Sequence, residues 1–188
     1  MTSLWSDQGI YRPARQQTSP HQDGRPDPHD ISLVVIHAIS LPPGEYGGSG
    51  IEQLFTGQLD PTEHPYYASI AHLEVSAHFV IHRTGELIQF VPCEQRAWHA
   101  GKSVWEGRDR CNDFSIGIEL EGTDGSPFAE AQYQTLLPLL TELCAHYPIT
   151  AITGHEHIAP GRKTDPGSGF EWGRLKGFGM LDLATLQK

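Results

Sequence analysis

The chain has 188 residues, 38% of them hydrophobic, which suffices for one buried core and somewhat exceeds a typical domain of roughly 100 to 150 residues. Thirteen lysines and arginines against 23 aspartates and glutamates leave a net charge of −10, which repels a phosphate backbone and argues against nucleic acid as a partner. The opening MTSLWSDQGIYRPARQQ lacks the basic start and apolar run of a secretory signal, and no stretch approaches the ~18 apolar residues of a membrane span, so the expectation is a soluble, cytoplasmic protein without a membrane partner.

Residues 1–30, punctuated by Pro13, Pro20, Pro26 and Pro28, read as an extended arm packed on a domain that occupies 31–188. SLVVIH, residues 32–37, is β-branched and apolar, as expected of a strand buried on both faces and ending in His37. From Leu41 to Ser69 the chain is rich in proline and glycine, which predicts a long functional loop with one or two helical turns near Ile51–Phe55. Its stretch from Gly44 to Gly57 has the composition of a lid. HFVIHRTGELIQFV, residues 78–91, predicts a hairpin turning through Thr84 and Gly85.

FSIGIELEG, residues 114–122, alternates: Ile116, Ile118 and Leu120 share one face, and Ser115, Gly117, Glu119 and Glu121 share the other. Two carboxylates on that second face predict an open polar surface. Residues 130–147 place Tyr133, Leu136, Leu137, Leu140, Leu143 and Cys144 at helical spacing, with a kink expected at Pro138, because proline inside a helix costs roughly 3 kcal/mol. ITAIT, residues 149–153, is a further short strand that leads into Gly154 and His155. Cys93, Cys111 and Cys144 are odd in number and form no CxxC pair, so they read as reduced thiols. The sum is an α/β fold: a single domain with a mixed central β-sheet flanked by helices and long loops around a cleft.

His37 and His155 stand at strand ends, and Asp165 follows across a loop made tight by Pro160, Gly161 and Pro166. Two imidazoles and one carboxylate suit a catalytic zinc, which takes three protein ligands and keeps one position open, better than they suit magnesium. Histidines at strand ends are also ordinary surface or core residues, so spacing alone leaves the metal reading open.

Five blocks in order carry a resemblance: VVIHAISLPPG (34–44), SAHFVI (76–81), RAWHAG (96–101), CNDFSIGIELEGTD (111–124) and GHEHIAPGRKTDPG (154–167). Together they resemble the zinc-dependent muramyl-L-alanine amidases, a group related to peptidoglycan recognition proteins and phage amidases, from about Ser19 to Trp172. The resemblance implies Zn2+ held by His37, His155 and Asp165, with Glu119 as general base and Lys163 facing the tetrahedral oxyanion. It implies cleavage of the amide between the lactyl group of a muramic acid, often in its 1,6-anhydro form, and L-alanine of the stem peptide. The substrate would be a small muropeptide of cytoplasmic wall recycling, and the enzyme a monomer. Arg110, with Arg108 as a second candidate, is the implied contact for a peptide carboxylate, and Trp98 and His99 are implied to line the same cleft.

Three positions depart from the pattern of these relatives: Ala38 where asparagine is usual, Glu74 where some have arginine, and His157 where some have aspartate. His78 and His82 are read as non-ligands, His78 as a buried wall residue, and His157 as a minor alternative ligand. Glu121 is expected to orient a cation or backbone. A non-catalytic muropeptide-binding module is the competing reading, and an amidase acting on intact wall outside the cytoplasm a third. Loss of the third ligand would mark the binding module, and here that ligand is present.

Overall fold

Alternation along two seven-residue segments sets the centre of the fold. In the computed structural model, which describes residues 3–178, the strands are β1 (Arg15–Gln16), β2 (Gln22–Gly24), β3 (Leu33–Ile39), β4 (Phe79–Ile81), β5 (Leu87–Gln89), β6 (Gln95–Ala97), β7 (Val104–Trp105), β8 (Arg108–Asp109), β9 (Ser115–Glu121) and β10 (Ala151–Gly154). The α-helices are α1 (Gly50–Phe55), α2 (Pro65–Ile70), α3 (Glu130–His146) and α4 (His155–Ile158). Six strands form one mixed sheet in the order β1-β5-β4-β9-β3-β10, parallel throughout except for the β4–β5 hairpin.

One face of this sheet is apolar across its central strands. Val34 and Ile36 of β3, Ile116, Ile118 and Leu120 of β9, and Phe79 and Ile81 of β4 pack against Tyr133, Leu136, Leu139, Leu140 and Leu143 of α3. α3 runs through Pro138, which is exposed, so the Gln134 carbonyl that loses its partner lies on the solvated side of the helix. Leu139 is buried where Leu137 was expected, and Leu137 and Cys144 are only half-buried. All three thiols are free.

The opposite face differs from expectation. Ser115, Glu119 and Glu121 are all buried, because loops from distant parts of the chain fold over the polar side of β9. Glu121 accepts hydrogen bonds from the backbone N–H groups of Gly47 (2.6 Å) and Arg83 (3.0 Å), and its Oε2 lies 3.2 Å from His82 Nδ1. It thereby ties the glycine-rich loop and the hairpin turn to the sheet. Beyond Gly47, Ile51, Leu54 and Phe55 of α1 are buried against Val80, Ile88 and Phe90, so the second half of the supposed lid is part of the core. α2 was not expected, although its start is legible: His64 caps it by accepting from the Tyr66 N–H (3.0 Å), and Pro65 takes the first helical position. β3 runs two residues past His37 to Ile39.

The N-terminal 30 residues supply the edge strand β1, the strand β2 paired with β6, and Trp5 and Tyr11 in the α3-side core. Arg25 is buried and donates to the carbonyls of Cys93, Asn112, Asp113 and Ser115. Those bonds tie the turn before β9 to the loop between β5 and β6. Among the described residues no helix is long and apolar enough to cross a membrane.

Burial raises the Glu121 carboxyl, but His82 and the two N–H donors outweigh it and hold the group down at about 2; Glu121 in turn raises His82, with Glu52 and Glu86 adding to that effect. A carboxylate depressed in the folded state contributes stability that is complete above its unfolded pKa and lost as pH falls towards 2, whereas the raised His82 contributes below about 6.5 and loses this as pH climbs. Between pH 5 and 2, therefore, the wild-type protein should lose about 2 to 3 kcal/mol that a Glu121→Gln variant does not lose. Denaturant melts across that range check this, and parallel profiles for the two proteins would contradict it.

Candidate active site

Strand register does the first part of the positioning. His37 and Glu119 are direct partners in β3 and β9, and their side chains share the face turned away from α3. β10 lies on the other side of β3 with Gly154 opposite Ile36, so the next residue, His155, opens α4 beside His37. Asp165 arrives on the loop after α4, whose path is pinned by a hydrogen bond from the Glu156 N–H to the Asp165 carbonyl (2.8 Å).

These side chains converge on one point. His37 Nδ1 and His155 Nδ1 are 3.0 Å apart, and Asp165 Oδ2 lies 3.2 Å from the first and 3.1 Å from the second. Both histidines are buried, and burial pushes the His37 imidazole down to about 4, so it is neutral. His155 Nε2 faces the Ala100 carbonyl at 3.1 Å, and a carbonyl only accepts, so Nε2 carries a proton and Nδ1 is the ring atom turned to the carboxylate. One proton can bridge one edge of this triangle. A divalent cation at its centre satisfies all three, and donor atoms around a tetrahedral zinc lie about 3.3 Å from one another. Two imidazoles and one carboxylate are also the donor set that zinc prefers over oxygen-seeking ions. The residues present fit the metal.

Glu119 stands beside this group with Oε1 4.0 Å from His37 Nδ1, and its Oε2 is buried without a hydrogen-bond partner. A buried carboxylate oxygen left unpaired costs free energy unless something else binds there. Burial, then the Asp165 charge, raise the Glu119 carboxyl well above its ordinary range, and Lys163 acts in the opposite sense. Lys163 is exposed and, with Glu119, His155 and Asp165, lines a cleft of about 470 Å³.

Trp98 and His99 are in the wall of this cleft. The Trp98 indole N–H donates to Asp23 (3.2 Å), which fixes the ring, and Leu41, Leu54, Ile70 and Leu73 give the lining an apolar part. Arg110 is not brought into the cleft. It is exposed, in the left-handed backbone region at φ 62, with Nε 3.1 Å from Asp113 of the next turn. Arg108 likewise pairs with Asp30 and lies over the Phe114 ring. The guanidinium that does line the cleft is Arg162, held by the carbonyls of Ala100 and Lys102 at 2.7 Å each; its place beside Lys163 was the available signal. Ala38 is in the wall, whereas Glu74 is exposed outside it. His157 stands apart from the converged group: its Nδ1 accepts from the Gly154 N–H (3.1 Å) and its ring lies against Trp172. His78 is fully buried, its Nδ1 accepting from the Gly117 N–H at 3.0 Å.

Residues 27–168 match the N-acetylmuramoyl-L-alanine amidase family model. The chain is 57% identical over 172 residues to the 1,6-anhydro-N-acetylmuramyl-L-alanine amidase AmpD of Citrobacter freundii, covering 90% of this chain and 92% of that protein. Identity to AmpD of Escherichia coli (strain K12) is 56%, over 90% of this chain and 94% of the relative. A crystal structure of an AmpD selenomethionine derivative superposes with a TM-score of 0.88 at 57% identity, over 91% of this chain and 97% of that one. The amidase AmiD of E. coli, solved with the substrate anhydro-N-acetylmuramic acid-L-Ala-D-gamma-Glu-L-Lys, aligns at 30% identity and a TM-score of 0.58, over 94% of this chain and 65% of that one.

Asp165 supplies the carboxylate corner of the triangle. An Asp165→Ala variant should therefore fall below one bound zinc per chain after desalting, where the wild-type protein keeps one, as read by metal analysis. Stoichiometric zinc in that variant would show that the third ligand lies elsewhere.

Proposed function

Because the chain belongs to the N-acetylmuramoyl-L-alanine amidase family, we propose that it is a zinc-dependent hydrolase that cuts the amide between the lactyl group of 1,6-anhydro-N-acetylmuramic acid and L-alanine of the stem peptide, in cytoplasmic recycling of wall fragments. The observation that carries this reading is the unpartnered Glu119 carboxylate oxygen, buried next to three convergent ligand atoms at the floor of an open cleft. His37, His155 and Asp165 would hold the zinc. When bound, it polarises the scissile carbonyl and makes a water molecule acidic enough, with a pKa near 7, to lose a proton at neutral pH.

Glu119 is the group placed to take that proton, and its position against His37 leaves Oε2 free to do so. The same carboxyl then returns the proton to the departing amine of L-alanine, which cannot leave as an anion. Lys163 stands on the cleft wall with its ammonium free to face the charge that develops on the carbonyl oxygen, an interaction stronger in the transition state than in the ground state. Arg162 and Lys163 together give an acidic protein a local cationic edge, which suits a muropeptide carrying several carboxylates. The apolar wall around Leu54 and Ile70 and the fixed Trp98 ring suit the carbon faces of the sugar and the alanine methyl group.

Glu119→Gln tests the base role directly. The variant should keep one zinc per chain, because the side chain is not a ligand, while kcat on anhydro-muramyl peptide falls by about 10² or more. Turnover at the wild-type rate would remove Glu119 from the mechanism.

A further inference from the structure

Two imidazoles can present Nδ1 to a metal only if each keeps its proton on Nε2, and some acceptor must hold that proton in place. For His155 the acceptor is the Ala100 carbonyl, 3.1 Å away. For His37 it is another ring: His37 Nε2 lies 2.9 Å from His99 Nδ1. Taken alone, that contact could run in either direction.

The next two links decide the direction. His99 Nε2 is 3.2 Å from Ser115 Oγ, and the Ser115 hydroxyl donates to the Cys111 carbonyl at 2.6 Å. A hydroxyl has one proton and a carbonyl has none to give. With the Ser115 proton on Cys111, His99 Nε2 must donate to Ser115, so His99 Nδ1 must accept, and His37 Nε2 must donate. Any other arrangement of neutral rings leaves one of these contacts without a proton. The chain of bonds therefore runs one way, from His37 to a backbone carbonyl, and leaves His37 Nδ1 bare.

The surroundings are shaped for this. A Cβ at Gly117 would come within 2.5 Å of His99 Cγ, so the ring occupies the space a side chain at 117 would need. The Asn112 side-chain oxygen accepts from the N–H groups of both His99 (3.1 Å) and Ala100 (2.8 Å), which places the His99 ring and the Ala100 carbonyl together. One clamp thus serves both imidazole ligands.

We propose that His99 is a positioning residue for the metal centre rather than a substrate contact, and that residues 99–100 under the Asn112 clamp set the tautomer of both His37 and His155. The proposal rests on the zinc amidase reading and deepens it. Ser115 is fully buried and out of reach of any substrate, which makes it a clean probe of the relay.

The test measures zinc affinity by competition with a chelator, together with long-range 1H–15N imidazole spectra of the metal-free protein. His99→Ala should weaken zinc binding about 10- to 100-fold and abolish the single Nε2–H signature of His37. His99→Gln, whose amide oxygen can accept from His37, should recover part of the affinity, and Ser115→Ala should weaken binding by less than His99→Ala. If His99→Ala does not fold, Ser115→Ala carries the test. Zinc affinity and a His37 spectrum equal to wild type in the folded variants, with only KM raised, would overturn the proposal and make His99 a substrate contact. A wild-type protein that takes up no zinc would instead overturn the zinc reading, and this proposal with it.

Discussion

Two ring nitrogens and a carboxylate oxygen are held about 3 Å apart at the floor of the cleft, with both imidazoles buried. Left to themselves, neutral imidazoles and a carboxylate would turn their lone pairs away from one another. That they do not is the constraint on which the rest of the structure depends, because each must be held from behind by elements that have their own reasons to be rigid.

The sheet supplies the first of these. Parallel pairing of β3 with β9 and β10 fixes the register at which His37, Glu119 and the start of α4 meet, and the apolar face of the same strands is locked against α3. A slip of one residue along β9 would turn Glu119 into the α3 interface and bring Ile118 or Leu120 to the site, so the hydrophobic pattern that stabilises the fold also enforces the geometry of the chemistry. The loops supply the second restraint. Arg25, reaching in from the N-terminal arm, gathers the carbonyls of Asn112, Asp113 and Ser115, and the turn it holds presents Asn112 to the segment that carries His99 and Ala100. The arm lies far from the cleft in sequence, yet only Asn112 and His99 stand between Arg25 and His37.

Much of this was legible before any coordinates. Alternation in FSIGIELEG and the β-branched run of SLVVIH correctly identified the two central strands; His155 was visible as a polar residue where an apolar strand gives out, and His37 as the polar residue of an apolar strand that in fact runs on to Ile39. Asp165 was weaker, since a loop residue has no periodicity to mark it and needed the resemblance of the whole GHEHIAPGRKTDPG block. What failed was covering by distant loops. The polar face of β9 looks open in sequence because nothing local says that Gly47 and His99 will close over it. Arg110 looked like a substrate contact because an arginine in a loop carries no sign of where it points; its pairing with Asp113 and the inward position of Arg162 depend on the path of two separate loops.

The central claim is that the converged residues hold a zinc that this protein needs to cut a muramyl amide. It is tested most directly by mass-spectrometric product analysis after mixing the zinc-loaded protein with anhydro-muramyl tripeptide, with a metal-stripped sample beside it. Free tripeptide and free anhydro-muramic acid should appear with zinc and not without it. Equal cleavage by the stripped protein, or binding of the muropeptide with no cleavage in either sample, would contradict the account.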